Sequence, residues 1–237
     1  MTPMVPPSSP PNPELFEFYE EEARKYQATL TLEHYMEASD HAKQREITLE
    51  TFAVIRETRP DIHCFNELLV QYPRRRGESP GKVVPDNFVV IHPTPLGSLT
   101  NFATPLQPVG LFLVFEYVSK LYVRKDYDRN FDRYERELRV PYYLLAYHDN
   151  QELSLFRRGK TKYLTVKPND AGRLAIPELE LEADILDGWV RFWFRGELVP
   201  LPGDLLRERN SERTARLAAE GKIQQLEAEL ARLKGAS

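Results

Sequence analysis

Two apolar stretches of the chain are each interrupted by one acid. They read Val83-Val84-Pro85-Asp86-Asn87-Phe88-Val89-Val90-Ile91 and Leu111-Phe112-Leu113-Val114-Phe115-Glu116-Tyr117-Val118-Ser119-Lys120. Both are rich in β-branched and aromatic residues, the composition of interior strands. Ile62 to Tyr72 and Pro141 to Tyr147 read as further strands, and Gln151–Phe156 with Tyr163–Val166 as a hairpin closed by Arg157-Arg158-Gly159-Lys160. Trp189 to Arg195 alternates: Trp189, Arg191, Trp193 and Arg195 share one face, with Val190, Phe192 and Phe194 on the other.

The helical period appears elsewhere. Ser39 to Glu57 predicts a helix with Ile47, Val54 and Ile55 as its apolar stripe, and Asp126 to Arg139 another with Tyr127, Phe131, Tyr134 and Leu138 on one face. Pro13 to Gln27 reads as a short helix with Glu20, Glu21 and Glu22 in solvent, after a leader with six prolines among residues 1–13. Residues 92–110 carry four prolines and two glycines and read as a long loop. The order helix, strands, helix, strand predicts an α/β fold with a mixed central sheet flanked by helices. Residues 204–234 have no proline and place Ile223, Leu226, Leu230 and Leu233 in a 3-4-3 pattern, the seam of a C-terminal helix or short coiled coil. The expected organisation is a leader and short helix over 1–27, a domain over 28–200 and the C-terminal helix over 201–237. Weak self-association is expected through residues 205–234.

Composition narrows the class. A hydrophobic content of 41% is too high for a disordered chain. A net charge of −4 argues against a strongly basic nucleic-acid binder but permits a local basic groove. The single cysteine, Cys64, excludes an internal disulfide and a thiolate metal cluster, so a reducing cytoplasm is the expected location. No apolar run is long enough to span a membrane, and the first residues do not read as a signal peptide.

The candidate chemistry lies in the two acids. A carboxylate in an apolar strand costs several kcal/mol unless compensated, and two brought together repel. A divalent cation between them relieves both problems, and an oxygen-rich site of that kind suits Mg²⁺ or Mn²⁺. Glu46, Glu50 and Gln44 on the first long helix, and Glu67 in its strand, are candidates to complete the site. Basic residues cluster at Arg74–Arg76, at Lys120, Arg124, Lys125 and Arg129, and at Arg157, Arg158, Lys160 and Lys162. The second cluster adjoins Glu116. Stacked Arg and Trp on the 189–195 strand read as sheet packing, with base contact as the functional alternative. The five histidines show no metal-ligand spacing, and neither a glycine-rich phosphate loop nor a GxSxG nucleophile motif is present.

Val84-Pro85-Asp86, Glu116-Tyr117-Val118-Ser119, the helix from Asp128 to Tyr134, and Val140-Pro141-Tyr142-Tyr143-Leu144 together resemble the PD-(D/E)XK nuclease superfamily, and within it the Uma-two family of restriction-endonuclease-like proteins. The likeness covers roughly residues 40–195. It implies a restriction-endonuclease-like fold, DNA as partner, metal binding by Asp86 and Glu116, and a lysine that supports the attacking water. The chain departs from the pattern in one place. Val118 stands where the superfamily has its lysine, and the following helix offers Arg129 and Asn130 rather than the family's lysine. Lys120 has the strand parity of Glu116 and is the expected substitute. Arg124, Lys125 and Arg129 are the expected contacts to the DNA backbone. The competing expectation is a non-catalytic interaction or nucleic-acid-binding protein on a degenerate nuclease fold, assembled through its C-terminal helix.

Overall fold

A computed structural model describes residues 12–30, 39–75, 77–118, 125–147 and 150–235. The described strands, in chain order, are β1 (Ile62–Asn66), β2 (Val70–Tyr72), β3 (Gly81–Val83), β4 (Asn87–Ile91), β5 (Phe102–Ala103), β6 (Leu113–Val118), β7 (Tyr142–Tyr147), β8 (Glu152–Arg158), β9 (Tyr163–Thr165), β10 (Leu174–Ile176), β11 (Leu181–Leu186), β12 (Trp189–Phe194) and β13 (Glu197–Leu198). The helices are α1 (Pro13–Gln27), α2 (Ser39–Arg56), α3 (Lys125–Asp132) and α4 (Pro202–Gly235), and α3 runs into a π-helical turn, Arg133–Glu137.

The main sheet is mixed, with spatial order β1-β4-β6-β7-β8-β9. Only β6 and β7 run parallel within it, and α3 lies in the chain between them. β10 to β13 form an antiparallel sheet, and β2 sits between β3 and β5 in a small third one.

Two strands expected to be continuous are broken, each for a local reason. Ile62–Tyr72 divides at Glu67, whose φ of 45° turns the chain out of the extended region. The Glu67 N–H then bonds the Asp86 carbonyl at 3.2 Å, and β2 leaves for the small sheet. The Val83–Ile91 stretch divides at Val84-Pro85-Asp86. Pro85 has no N–H to give a ladder, so β3 and β4 fall in different sheets.

The main sheet is buried on both faces. On one, α2 and the second sheet meet it through Phe52, Phe115 and Phe192, whose ring centroids lie 5.8–6.0 Å apart in edge-to-face pairs. The same layer contains Ile55, Leu113, Leu144, Ile176 and Leu181. On the other face Val114, Phe88, Tyr143 and Val70 pack with Tyr134 of the π-helical turn. Successive residues of β6 thus point to opposite cores.

Two amphipathic details differ from the sequence pattern. Glu22 is buried rather than solvated, held by Lys82 at 2.9 Å and Lys25 at 3.2 Å. On α2, Val54 is exposed and Phe52 takes its place beside Ile47 and Ile55. Trp193 is stacked by Arg173 at 4.2 Å, and Arg191 is buried with its Nη2 on the Val199 carbonyl. Arg191 and Trp193 of β12 are thus engaged in packing.

The chain divides after Val199, and α4 belongs to the second unit. Leu217, Ile223 and Leu226 are exposed on α4. The side chains of Leu230 and Leu233 lie outside the described set. Among the described residues no helix is long and apolar enough to cross a membrane.

Candidate active site

The ladder between β4 and β6 decides which acids meet. Asn87 pairs with Phe115 and Phe88 with Val114 in antiparallel register. One step further, at the end of β4, Asp86 stands opposite Glu116. The two carboxyl groups lie close enough for each to act on the ionisation of the other. The Asp86 side chain keeps 19% of its surface exposed, so the pair is reachable from solvent.

Each carboxylate is held by groups that fix its direction. Asp86 Oδ2 accepts the backbone N–H of Tyr117 at 2.7 Å. Glu116 Oε1 accepts the Tyr134 hydroxyl at 2.5 Å and the Asn130 Nδ2 at 3.4 Å. Tyr134 is fully buried, and the π-helical turn that carries it follows directly on α3. Such turns shift the helical phase by one residue and recur at functional sites. Tyr117 itself points to the opposite core, where its hydroxyl meets Thr48 Oγ1 at 2.6 Å.

Charge and burial work against both acids. Burial is the main cause that lifts the Asp86 carboxyl above the usual range, offset in part by the Tyr117 N–H and by the fields of His41 and Arg45. Glu116 lies well above the usual range, first through burial and then through repulsion by Asp86, while the Tyr134 hydroxyl pulls it back. Both acids are thus raised, so each favours its protonated form more than an exposed carboxyl does.

The basic component comes from α2. Arg45 is buried, and its Nη1 lies 3.7 Å from Asp86 Oδ1 and 2.6 Å from Glu67 Oε1. His41, one turn earlier, falls on the same helix face. His41 and Tyr117 also line a cavity of about 20 Å³ with Gln44, Tyr147 and Val190, the room of roughly one water molecule.

Asp86 and Glu116 fit a divalent ion: two oxygen donors, desolvated, mutually repelling and open to solvent on one side. Among the described residues no cluster of three or more His, Cys, Asp or Glu side chains could enclose a metal. Two carboxylates are a donor set that Mg²⁺ commonly uses, with water and substrate oxygens completing its octahedron.

The sequence matches the family Uma2, described as putative restriction endonuclease, over residues 18–187. The chain belongs to the Uma2 family. No curated protein matches it. Among solved structures it is similar to a putative nuclease belonging to DUF820 from Anabaena variabilis, with 16% identity, a TM-score of 0.45, and coverage of 60% of this chain and 75% of that one.

Within this Uma2 chain the other expected site residues divide. Lys120 and Arg124 lie outside the described residues, as does the side chain of Lys125. Arg129 is exposed on α3. Of the candidates on α2, Gln44 does not join the acids. Its amide brackets the backbone of Val190, donating to the carbonyl at 3.0 Å and accepting the N–H at 2.8 Å. Glu46 is turned to solvent and pairs with Lys43 at 2.8 Å. Glu67 reaches the site only through Arg45. Two contributors escaped the sequence reading, Tyr134 and Arg45, while Asn130 figures in it only as standing where the family has its lysine. The one signal for Tyr134 was a hydroxyl on a largely apolar helix face, which needs a partner once buried. Arg45 carried no signal, because only the tertiary approach of α2 to the β4 terminus gives it a role.

Proposed function

We propose that this protein hydrolyses DNA phosphodiester bonds with a divalent ion, Mg²⁺ or Mn²⁺, held by Asp86 and Glu116. The observation that carries the reading is the β4–β6 register, which sets two raised carboxyl groups face to face at the solvent-open end of the sheet. When bound, the ion would supply Lewis-acid polarisation of a phosphate oxygen and lower the pKa of a bound water. The chain's own part is orientation: the Tyr117 N–H directs Asp86, and Tyr134 with Asn130 directs Glu116. Water adds through oxygen to phosphorus as the bond from phosphorus to the leaving oxygen breaks. Lys120 orients that water or, in its neutral form, takes its proton, and the departing alkoxide takes a proton from solvent. Arg124, Lys125 and Arg129 hold the flanking phosphates. The single cysteine supports a cytoplasmic location.

Purified protein should nick or linearise plasmid DNA with Mg²⁺ or Mn²⁺ and not in EDTA. Lys120→Ala should reduce that cleavage by a factor of about 10²–10⁴, the typical worth of a positioned proton acceptor, without changing metal binding. Full cleavage by Lys120→Ala would move the proton acceptor elsewhere. A second reading, non-catalytic binding, rests on Val118 occupying the superfamily's lysine position. It predicts no cleavage with any divalent metal.

For α4 we propose a weak parallel pair formed with a second copy of this chain. With Ile223 and Leu226 at core positions a and d of a heptad, Lys222 falls at g and Glu227 at e, opposite each other across a parallel, in-register dimer. Glu208 and Arg213 repeat the complement two heptads earlier, and Glu229 and Lys234 one heptad later. Arg209, Glu212 and Arg216 occupy a and d positions upstream, so the apolar seam is short and the affinity low. Sedimentation of the full chain should show a concentration-dependent dimer. Lys222→Glu should weaken it about two- to fivefold, and adding Glu227→Lys should restore it. A single mass at every concentration would rule the pair out.

A further inference from the structure

We propose that Arg45 is a phosphate-binding residue of this site, holding a substrate phosphate beside Asp86 and Glu116. The inference rests on the nuclease reading and extends it to a residue on α2. Arg45 takes its place from both sides. Its helix is fixed to the second sheet by the Gln44 bridge to Val190 and by Phe52. Its guanidinium is buried, with its side chain 10% exposed. In the protein alone it faces Asp86 at 3.7 Å and Glu67 at 2.6 Å.

These two partners are unequal. Asp86 belongs to the acid pair. Glu67 is half exposed and stands on left-handed backbone at the break between β1 and β2. A half-solvated carboxylate loses little when another anion replaces it, because water takes over its charge. The guanidinium cannot retreat to water in the same way, so it stays and exchanges partners. A phosphate oxygen placed beside Asp86 comes within reach of Nη1, 3.7 Å from that carboxylate, and the flat fork of a guanidinium matches two phosphate oxygens.

Charge gives the same direction. A dication on Asp86 and Glu116 is repelled by Arg45 unless an anion lies between them. Metal and phosphate should therefore bind cooperatively, each improving the other's affinity by the same factor. Glu67 supplies the anion in the absence of substrate and yields to the phosphate on binding.

The test uses the full chain and a short fluorescein-labelled DNA duplex in EDTA, followed by anisotropy over a range of salt. Arg45→Met should weaken binding about tenfold at low salt, and lower the slope of log affinity against log salt by about 0.9, the signature of one lost phosphate contact. Arg45→Lys should keep the slope. Glu67→Gln should tighten binding, since the competing anion is gone. Mn²⁺ titration of the DNA-free protein should show tighter metal binding in Arg45→Met. If Arg45→Met does not fold, Glu67→Gln decides: unchanged or weaker DNA binding in that variant overturns the proposal. An unchanged salt slope in folded Arg45→Met overturns it, and so does a wild-type protein that binds no duplex. A duplex bound through Arg45 but never cut would support this assignment and remove hydrolysis from the function.

Discussion

Glu116→Gln should melt at a higher temperature than the wild type in EDTA at neutral pH, and should lose the stabilisation that Mg²⁺ or Mn²⁺ gives. Glutamine keeps the shape of glutamate, can still accept the Tyr134 hydroxyl and can donate to Asp86. It removes only the charge that burial and Asp86 oppose. The pH dependence has a definite sign. An acid whose folded pKa lies above its unfolded value keeps its proton in the fold after the unfolded chain has lost it. Wild-type stability in EDTA should therefore fall as pH rises from about 4.3, where an unperturbed glutamate ionises, up to the raised pKa of Glu116. Asp86, raised in the same direction, adds to the slope. In Glu116→Gln the slope should flatten to the part contributed by Asp86, whose carboxyl burial keeps raised. Metal acts oppositely in the wild type. At a hundredfold excess over Kd it should add about 2.7 kcal/mol, a rise of roughly 5–10 °C for a protein of this size. Differential scanning fluorimetry over pH, with and without metal, reads all three effects. A metal response retained by Glu116→Gln would place the ion elsewhere.

Phe115→Ala should cost about 3–5 kcal/mol, the range for emptying a buried aromatic site, or roughly 6–20 °C in Tm. Phe115 has no exposed surface and joins Phe52 of α2 to Phe192 of the second sheet. Its loss leaves a cavity where three elements meet, and none can move alone to fill it. Phe115 also pairs with Asn87 in the ladder that aligns the acids. Where the variant remains folded, its metal affinity should fall as well. Leu198→Ala, at an exposed position of β13, should change stability by less than about 0.5 kcal/mol. Equal melting temperatures for the two variants would show that the aromatic trio does not join the layers. Urea unfolding of both makes the comparison.

The acids were legible because their environment in sequence was wrong for them: one carboxylate in each of two strands otherwise made of Val, Leu, Ile and Phe. Strand parity then predicts their faces, and the register of β4 on β6 brings them together. The mixed sheet and the helix between β6 and β7 were legible from the change of period. The breaks at Glu67 and Pro85 were not, because apolar character continues through both, and only a left-handed φ or a missing ladder bond interrupts the strand. The small β3-β2-β5 sheet followed from those breaks and was hidden with them. The π-helical turn was invisible for a related reason. Tyr127, Phe131, Tyr134 and Leu138 fit an ordinary helical stripe, yet the extra residue in the turn directs Tyr134 onto Glu116. Gln44 and Glu46 show the limit of helical spacing: it groups residues on faces without saying which face meets the site. Arg45, adjacent to both in sequence, is the one that does.

Calorimetric titration of Mn²⁺ into the full-length protein, repeated in buffers of different ionisation enthalpy, tests the central claim most directly. Asp86 and Glu116, both raised, bind a dication only in their charged forms, so its binding displaces any proton they hold. The expected result is one ion per chain, bound with release of a proton near neutral pH, and both signals lost in Asp86→Asn and in Glu116→Gln. Binding that releases no proton, or that survives both substitutions, would contradict the assignment of the acid pair as a metal site.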